Sequence, residues 1–193
     1  MEQLNQQLAL TLRQLRASRQ WSLTQAAEQT GVSKAMLGQI ERGESSPTVA
    51  TLWKIATGFN VPFSAFLDSP EDTPALTLQR AGERAGLRQA NAAMHIVPLF
   101  PFDAQLGFDM FVIDLAPGAV STSTPHETGV IEHVIVLEGQ LELRVNTVWH
   151  RLAAGDALRF RADCPHTYRN SSSDNVRWHD LIHYPVPGKE ASR

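Results

Sequence analysis

Two rhythms of apolar residues divide this chain. Over the first 67 residues they recur every three or four positions, the spacing of one helix face. Leu4, Leu8, Leu12 and Leu15 give a first helix its apolar side. Ser22-Leu23-Thr24-Gln25 has the form of a capping box, in which a serine and a glutamine side chain satisfy each other's free backbone N–H groups. A second helix is therefore predicted from Leu23 to Thr30, stopping at Gly31. Ser33 caps a third that runs through Arg42 and ends on Gly43, at a position suited to a left-handed backbone. Pro47-Thr48 opens a fourth, with Val49, Leu52, Ile55 and Ala56 turned inward, and Pro62 to Leu67 makes a short fifth.

From about Leu76 the period shortens to two. FDMFVIDL, EHVIVLEG, QLELRV, DALRFRA and VRWHDLIHY alternate, and PG, EG, AAG and NSSSDN punctuate them. Short strands at near-regular spacing predict an all-β sandwich or barrel. Between the two regimes DSPEDTP, residues 68–74, is acidic and proline-bearing and reads as a linker. The expected fold class is α + β with two domains: an all-α five-helix domain over 1–67, a linker over 68–91, an all-β barrel over 92–185 and a tail over 186–193. Within the linker Arg80, Arg84 and Arg88 recur every fourth residue, a basic stripe suited to a connecting helix or an extra phosphate contact.

Composition changes this picture little. With 193 residues, 42% of them hydrophobic and 19% charged, the chain can bury one large core or two small ones. Its N-terminus lacks a basic start followed by an apolar core, and its apolar runs are too short to span a bilayer, so the cytoplasm is the expected compartment. A single cysteine, Cys164, cannot form an internal disulfide. The formal charge of −3 hides an asymmetry: residues 1–68 carry six basic and five acidic side chains, the remainder eleven and fifteen. There is no basic tail. Nucleic-acid binding by the first domain must rest on a few placed cations and a second copy, because each neutralised phosphate adds only one increment of counterion release.

The second and third predicted helices, joined at Gly31-Val32, make a candidate helix pair for a DNA groove. Ala27 is expected where the two cross, Val32, Leu37 and Ile40 face inward, and Ser33, Lys34, Ala35, Gly38 and Gln39 remain outside. Glutamine can pair with adenine through two hydrogen bonds, and lysine can reach guanine or phosphate. The alternative is a plain helical bundle with a wet polar face. The run GVSKAMLGQIERGESSPT, within residues 8–67, resembles the Cro/C1-type (XRE-family) helix-turn-helix. That resemblance implies a third helix lying in the major groove of a double-stranded DNA operator, with Ser33, Lys34, Ala35 and Gln39 facing bases. It also implies that Ser22 meets phosphate and that Arg16 pairs with Glu41 as a structural bridge. Dimers reading two half-sites about one turn apart are the usual arrangement.

All seven histidines lie at or beyond His95. In IEHVIVLEG, Glu132 shares a strand face with Val134 and Val136, and His133 shares the other with Ile135 and Leu137. A carboxylate among valines is costly unless paired, protonated or bound to a cation. Both faces of this strand are apolar enough to be covered, the outer one by a partner subunit. Residues 92–185 resemble the double-stranded β-helix of the cupin superfamily: Gly118, His126, Glu132 and Gly139 match its first motif, and Gly155, His166 and Asn170 its second. Two departures stand out. Thr128 takes the place of the second histidine of the first motif, and Arg161 and Asp163 replace the usual proline and glycine.

The resemblance thus implies a divalent metal on His126, Glu132 and His166, zinc first and iron as the alternative, or else a metal-free pocket formed by the same side chains. Tyr168, Asn170 and Trp178 are the candidate lining of an effector pocket. A lone Cys164 beside Pro165 is expected to be inert. His150, His179 and His183 have no partner at ligand spacing. The expected function is a DNA-binding transcriptional regulator, homodimeric, whose cupin domain senses a small molecule such as an amino acid or related metabolite. Rival readings are a metal-dependent cupin enzyme with a DNA-binding appendage and a metal-free dimerisation module.

Overall fold

The helical rhythm folds into four α-helices: α1 (Glu2–Ser18), α2 (Leu23–Thr30), α3 (Lys34–Glu41) and α4 (Val49–Phe59). A computed structural model describes residues 2–66, 78, 80, 87–88, 93–103 and 106–185, and the chain divides into two units, 1–72 and 73–193. The expected linker over 68–91 falls largely outside the described residues, and the tail over 186–193 wholly so. The side chain of Leu4 and all of Leu67 and Arg84 are also outside them.

The local signals act as their chemistry dictates. Both halves of the capping box form at the start of α2: the Gln25 N–H donates to Ser22 Oγ at 3.2 Å, and the Ser22 N–H donates to Gln25 Oε1 at 2.8 Å. Gly31 ends this helix at φ 64°, a left-handed conformation that glycine adopts without a Cβ penalty. Ser33 caps α3, and Thr48 caps α4. The expected fifth helix is instead a single 3₁₀ turn, Phe63–Phe66. Its Ala65 N–H reaches only three residues back, to the Pro62 carbonyl at 3.1 Å, and four residues are too few to build an α-helical ladder.

Leu8, Leu12, Leu37, Leu52, Ile55 and Phe59 form the centre of the helical core. Two small residues were expected elsewhere. Ala26 rather than Ala27 is the fully buried alanine of α2, and Ala27 is half-buried. Gly38, expected outside, is buried, because a Cβ there would touch Leu23 of α2 at 3.7 Å and the Arg42 guanidinium at 3.1 Å. At Gly58 α4 comes close to the end of α2: a Cβ there would stand 2.6 Å from Thr30 Cα.

Among the described residues the second unit holds ten strands: β1 (Leu87–Arg88), β2 (Met94–Asp103), β3 (Phe108–Leu115), β4 (Val120–Ser123) and β5 (Ile131–Glu138), then β6 (Gln140–Val145), β7 (Val148–Ala153), β8 (Ala157–Arg161), β9 (His166–Arg169) and β10 (Val176–His183). All pair antiparallel, in one sheet of order β1-β2-β3-β10-β5-β8 and another of order β4-β9-β6-β7. Arg88 pairs with His95 across β1 and β2, so the Arg80–Arg88 stripe is not one helix. Strand β2 carries Pro98 and Pro101, which cannot donate to a ladder, and its register with β3 shifts twice, after Pro98 and after Phe100. Inward side chains of the two sheets meet: Tyr168 of β9 stacks on Trp178 of β10 with centroids 5.4 Å apart.

Candidate functional site

In the helical unit, Ser33, Lys34, Ala35 and Gln39 are all exposed, at the start and on one side of α3. Val32, Leu37 and Ile40 on its other side are buried and anchor it. Ser22 is exposed at the head of α2, where its oxygen accepts from Gln25 and its hydroxyl proton remains to donate. A helix N-terminus with free N–H groups favours an anion such as phosphate. The position of α3 is fixed by a fork: Arg16 donates from Nε to Glu41 Oε1 at 2.6 Å and from Nη2 to Oε2 at 2.9 Å. Arg16 also donates to the Trp21 carbonyl, and Arg13 to the Glu41 carbonyl at 2.7 Å. One ion pair therefore ties α1, the entry to α2 and the end of α3 together.

In the β unit, the strand alternation places Glu132 on the inner face of β5 with Val134 and Val136, and all three are buried. His166 enters the same interior from β9, and His126 from the loop before β5, held by its N–H on the Ala162 carbonyl at 2.9 Å. His126 Nε2 lies 2.7 Å from Glu132 Oε1, and His166 Nε2 lies 3.5 Å from the same oxygen. One donor atom from each of the three falls within 4.8 Å of the others. His166 Nδ1 donates to the Cys164 carbonyl at 2.9 Å, which turns Nε2 toward Glu132. This Nε2 is buried and without a hydrogen-bond partner in the described residues. Two imidazoles and one carboxylate, with an orphaned buried nitrogen, fit zinc or ferrous iron. Thr128, where the second motif histidine would stand, is exposed.

Burial alone would raise the Glu132 carboxyl. The hydrogen bond from His126, the charges of His166 and His126 and the Tyr168 hydroxyl outweigh it and hold the group at about 2. Tyr168 donates to Glu132 Oε2, and burial with two neighbouring carboxyl groups keeps its own proton on far above the usual range. Asp180, also buried on the inner face of β10, was not singled out from the sequence. Burial and the negative charge of Glu132 push its carboxyl well above the usual carboxylate range. The indole N–H of Trp178 donates to it at 3.4 Å.

The remaining candidates have plainer positions. Asn170 is fully buried, but its amide is taken up by the Leu115 and Asp174 carbonyls and by the N–H and hydroxyl of Ser172. It is a corner-holding residue and has no hydrogen-bonding capacity left for an effector. Trp178 is a core residue, at 0% exposure. Cys164 donates its thiol to the Arg161 carbonyl at 3.2 Å, and burial pushes the thiol up, away from a reactive thiolate. His133, His179 and His183 lie half-buried on the outer face of the larger sheet.

A family model described as helix-turn-helix matches residues 12–66, and one described as cupin domain matches residues 111–182. An Escherichia coli K12 protein, the HTH-type transcriptional regulator SutR, is 55% identical over 96% of this chain and 99% of its own length. The chain belongs to this family of helix-turn-helix transcriptional regulators. The solved structure of an HTH_3 family transcriptional regulator from Vibrio cholerae agrees, with a TM-score of 0.79 and 40% identity over 95% of this chain and 98% of that one. The regulator PuuR of Escherichia coli K12 is 25% identical over 86% of this chain and 89% of its own. The cupin here is thus the second domain of a regulator, and the reading of the chain as an enzyme is set aside. Among the described residues no helix is long and apolar enough to cross a membrane.

Proposed function

We propose that this regulator acts in the cytoplasm as a homodimer on a double-stranded DNA operator, and that its cupin domain holds a divalent cation and a small-molecule effector. Residues 1–67 form the reading head, 68–91 connect, and 92–185 sense and dimerise. Ser33, Lys34, Ala35 and Gln39 face the major groove, and Ser22 a phosphate. Outward-facing Met110, Val112, Ile135 and Leu181 are half-buried on the larger sheet and support placing the subunit contact there.

The observation that carries the sensing half is His166 Nε2, buried and without a hydrogen-bond partner among the described residues, beside Glu132 and His126. A buried nitrogen in that state costs about 1–3 kcal/mol unless something occupies it. Zinc is the first choice and iron the second. A cation held by three protein donors keeps open positions that accept an oxygen or nitrogen of an effector such as an amino acid or related metabolite. For its part the protein supplies the Phe160 ring edge-on to His166, centroids 5.3 Å apart, and the buried Val134 on the same strand face as Glu132. An effector changes DNA reading only so far as it binds one arrangement of the dimer better than the other.

Elemental analysis of the purified chain, followed by zinc titration against a competing chromophoric chelator, tests this reading. One divalent cation per chain is expected, lost on His166→Ala. A wild-type chain that neither carries nor takes up zinc or iron would leave a metal-free dimerisation module.

A further inference from the structure

The three donors do not account for the polar groups behind them. Glu132 has two carboxylate oxygens, and they are treated differently: Oε1 faces His126 and His166, whereas Oε2 accepts the Tyr168 hydroxyl proton. Tyr168 is itself fixed on three sides. Its ring stacks on Trp178 at an interplanar angle of 18° and meets the His166 ring edge-on, centroids 5.7 Å apart. Its hydroxyl lies in the field of Asp180, whose Oδ2 accepts the Trp178 indole N–H. All four side chains, Glu132, Tyr168, Trp178 and Asp180, are at most 4% exposed. They come from three strands, β5, β9 and β10, which brings both sheets into one chain of contacts.

We propose that Tyr168, backed by Trp178 and Asp180, is the positioning residue of the cation site: by occupying Oε2 it fixes the Glu132 carboxylate so that Oε1 alone is offered alongside the two imidazoles. This rests on the metal reading above and goes beyond it, since none of the three backing residues is a ligand. The consequence is coordination number. A carboxylate pinned through one oxygen contributes a single bond and leaves positions open for an effector, whereas a released carboxylate can swing to give two and close one of them. Asp180 serves this role through Oδ2, which accepts the Trp178 indole N–H and so holds the ring that stacks on Tyr168. The unpartnered Oδ1 of Asp180, buried as well, is the mark of a group held for its place in the array rather than for hydrogen-bond count.

Tyr168→Phe tests this directly, since it keeps the ring stack and removes only the hydroxyl. Apo thermal melting establishes that each variant folds. In the folded variant, zinc affinity is expected to fall about 10–100-fold, the usual effect of removing an outer partner of a ligand. The visible spectrum of the cobalt-substituted protein is expected to change in intensity as the carboxylate reorients. Asp180→Ala should move both readouts the same way, and Asp180→Asn, an isostere that keeps an oxygen for the Trp178 indole, should restore them. This pair decides the matter even if Tyr168→Phe does not fold. Wild-type zinc affinity and an unchanged cobalt spectrum in Tyr168→Phe, with His166→Ala still abolishing binding, would overturn this proposal alone. Failure of wild type to bind any divalent cation would overturn it together with the metal reading.

Discussion

Replacing Glu41 by glutamine isolates the ion pair that sets the recognition helix. The carboxylate is 8% exposed and meets Arg16, 24% exposed, through two parallel hydrogen bonds of 2.6 and 2.9 Å. Glutamine preserves the shape but removes the charge and turns an N–H toward the guanidinium. Breaking a fully buried pair costs about 3–5 kcal/mol. Arg16 keeps some water and its bond to the Trp21 carbonyl, so the expected loss here is about 2 kcal/mol. For a helical unit of this size that lowers the melting temperature by about 8–16 °C. Far-UV circular dichroism follows it, because the described helices all lie in α1 to α4. The double change Arg16→Met with Glu41→Leu should recover part of the loss, since an apolar pair of similar volume needs no desolvation. A Glu41→Gln melt within 2 °C of wild type, about 0.5 kcal/mol or less, would show that the pair is ornamental and that α3 is positioned by packing alone.

Other expectations follow from single positions. Gly58→Ala puts a Cβ 2.6 Å from Thr30 Cα and 2.7 Å from the Gln29 carbonyl, so it should destabilise by about 1–3 kcal/mol on urea unfolding, despite alanine's better helix propensity. The Ser171 hydroxyl, then Arg169, hold the Glu142 carboxyl at about 2 against an ordinary 4.5. Its folded value is the lower one, so its stabilisation is full above 4.5 and fades as the pH falls toward 2. The partners are partly exposed, so the gap between wild type and Glu142→Gln should be only about 1 kcal/mol at neutral pH and shrink in acid unfolding titrations. Gln39→Ala should relax base preference at one operator position by about 1–3 kcal/mol, whereas Lys34→Ala should weaken binding to all sequences and lower the salt slope by about 1. Fluorescence anisotropy on matched and mutated operators separates the two, and unchanged binding in both variants would contradict the role given to α3.

Local chemistry was readable wherever one residue type has one job. Ser22, Ser33 and Thr48 cap the helices their sequence signals predicted, and Gly31 ends α2 with a positive φ. The period-two runs placed β3, β5, β6, β8 and β10, and parity put Glu132 on the buried face. Long-range facts were not readable. Nothing in IEHVIVLEG says that β5 pairs with both β10 and β8, strands distant in sequence. Strand β2 hides behind two prolines whose cost is absorbed by register shifts. Gly38 looked like part of a groove-facing surface because spacing alone cannot tell a contact glycine from a surface one. Asp180 was missed although VRWHDLIHY carries the same signal as Glu132: an acid in phase with Val176, Trp178 and Ile182. Asn170 is a motif position whose side chain is spent on the Leu115 and Asp174 carbonyls and on Ser172, contacts that spacing alone does not show.

Linkage offers the most direct test of the claim that occupancy of the cupin interior biases DNA reading. Operator affinity of the full chain is measured with zinc and after chelation, and zinc affinity is measured with and without operator. The account predicts the same factor in both directions, about 5–150-fold. A factor of one in both, with zinc bound and operator bound, would contradict it.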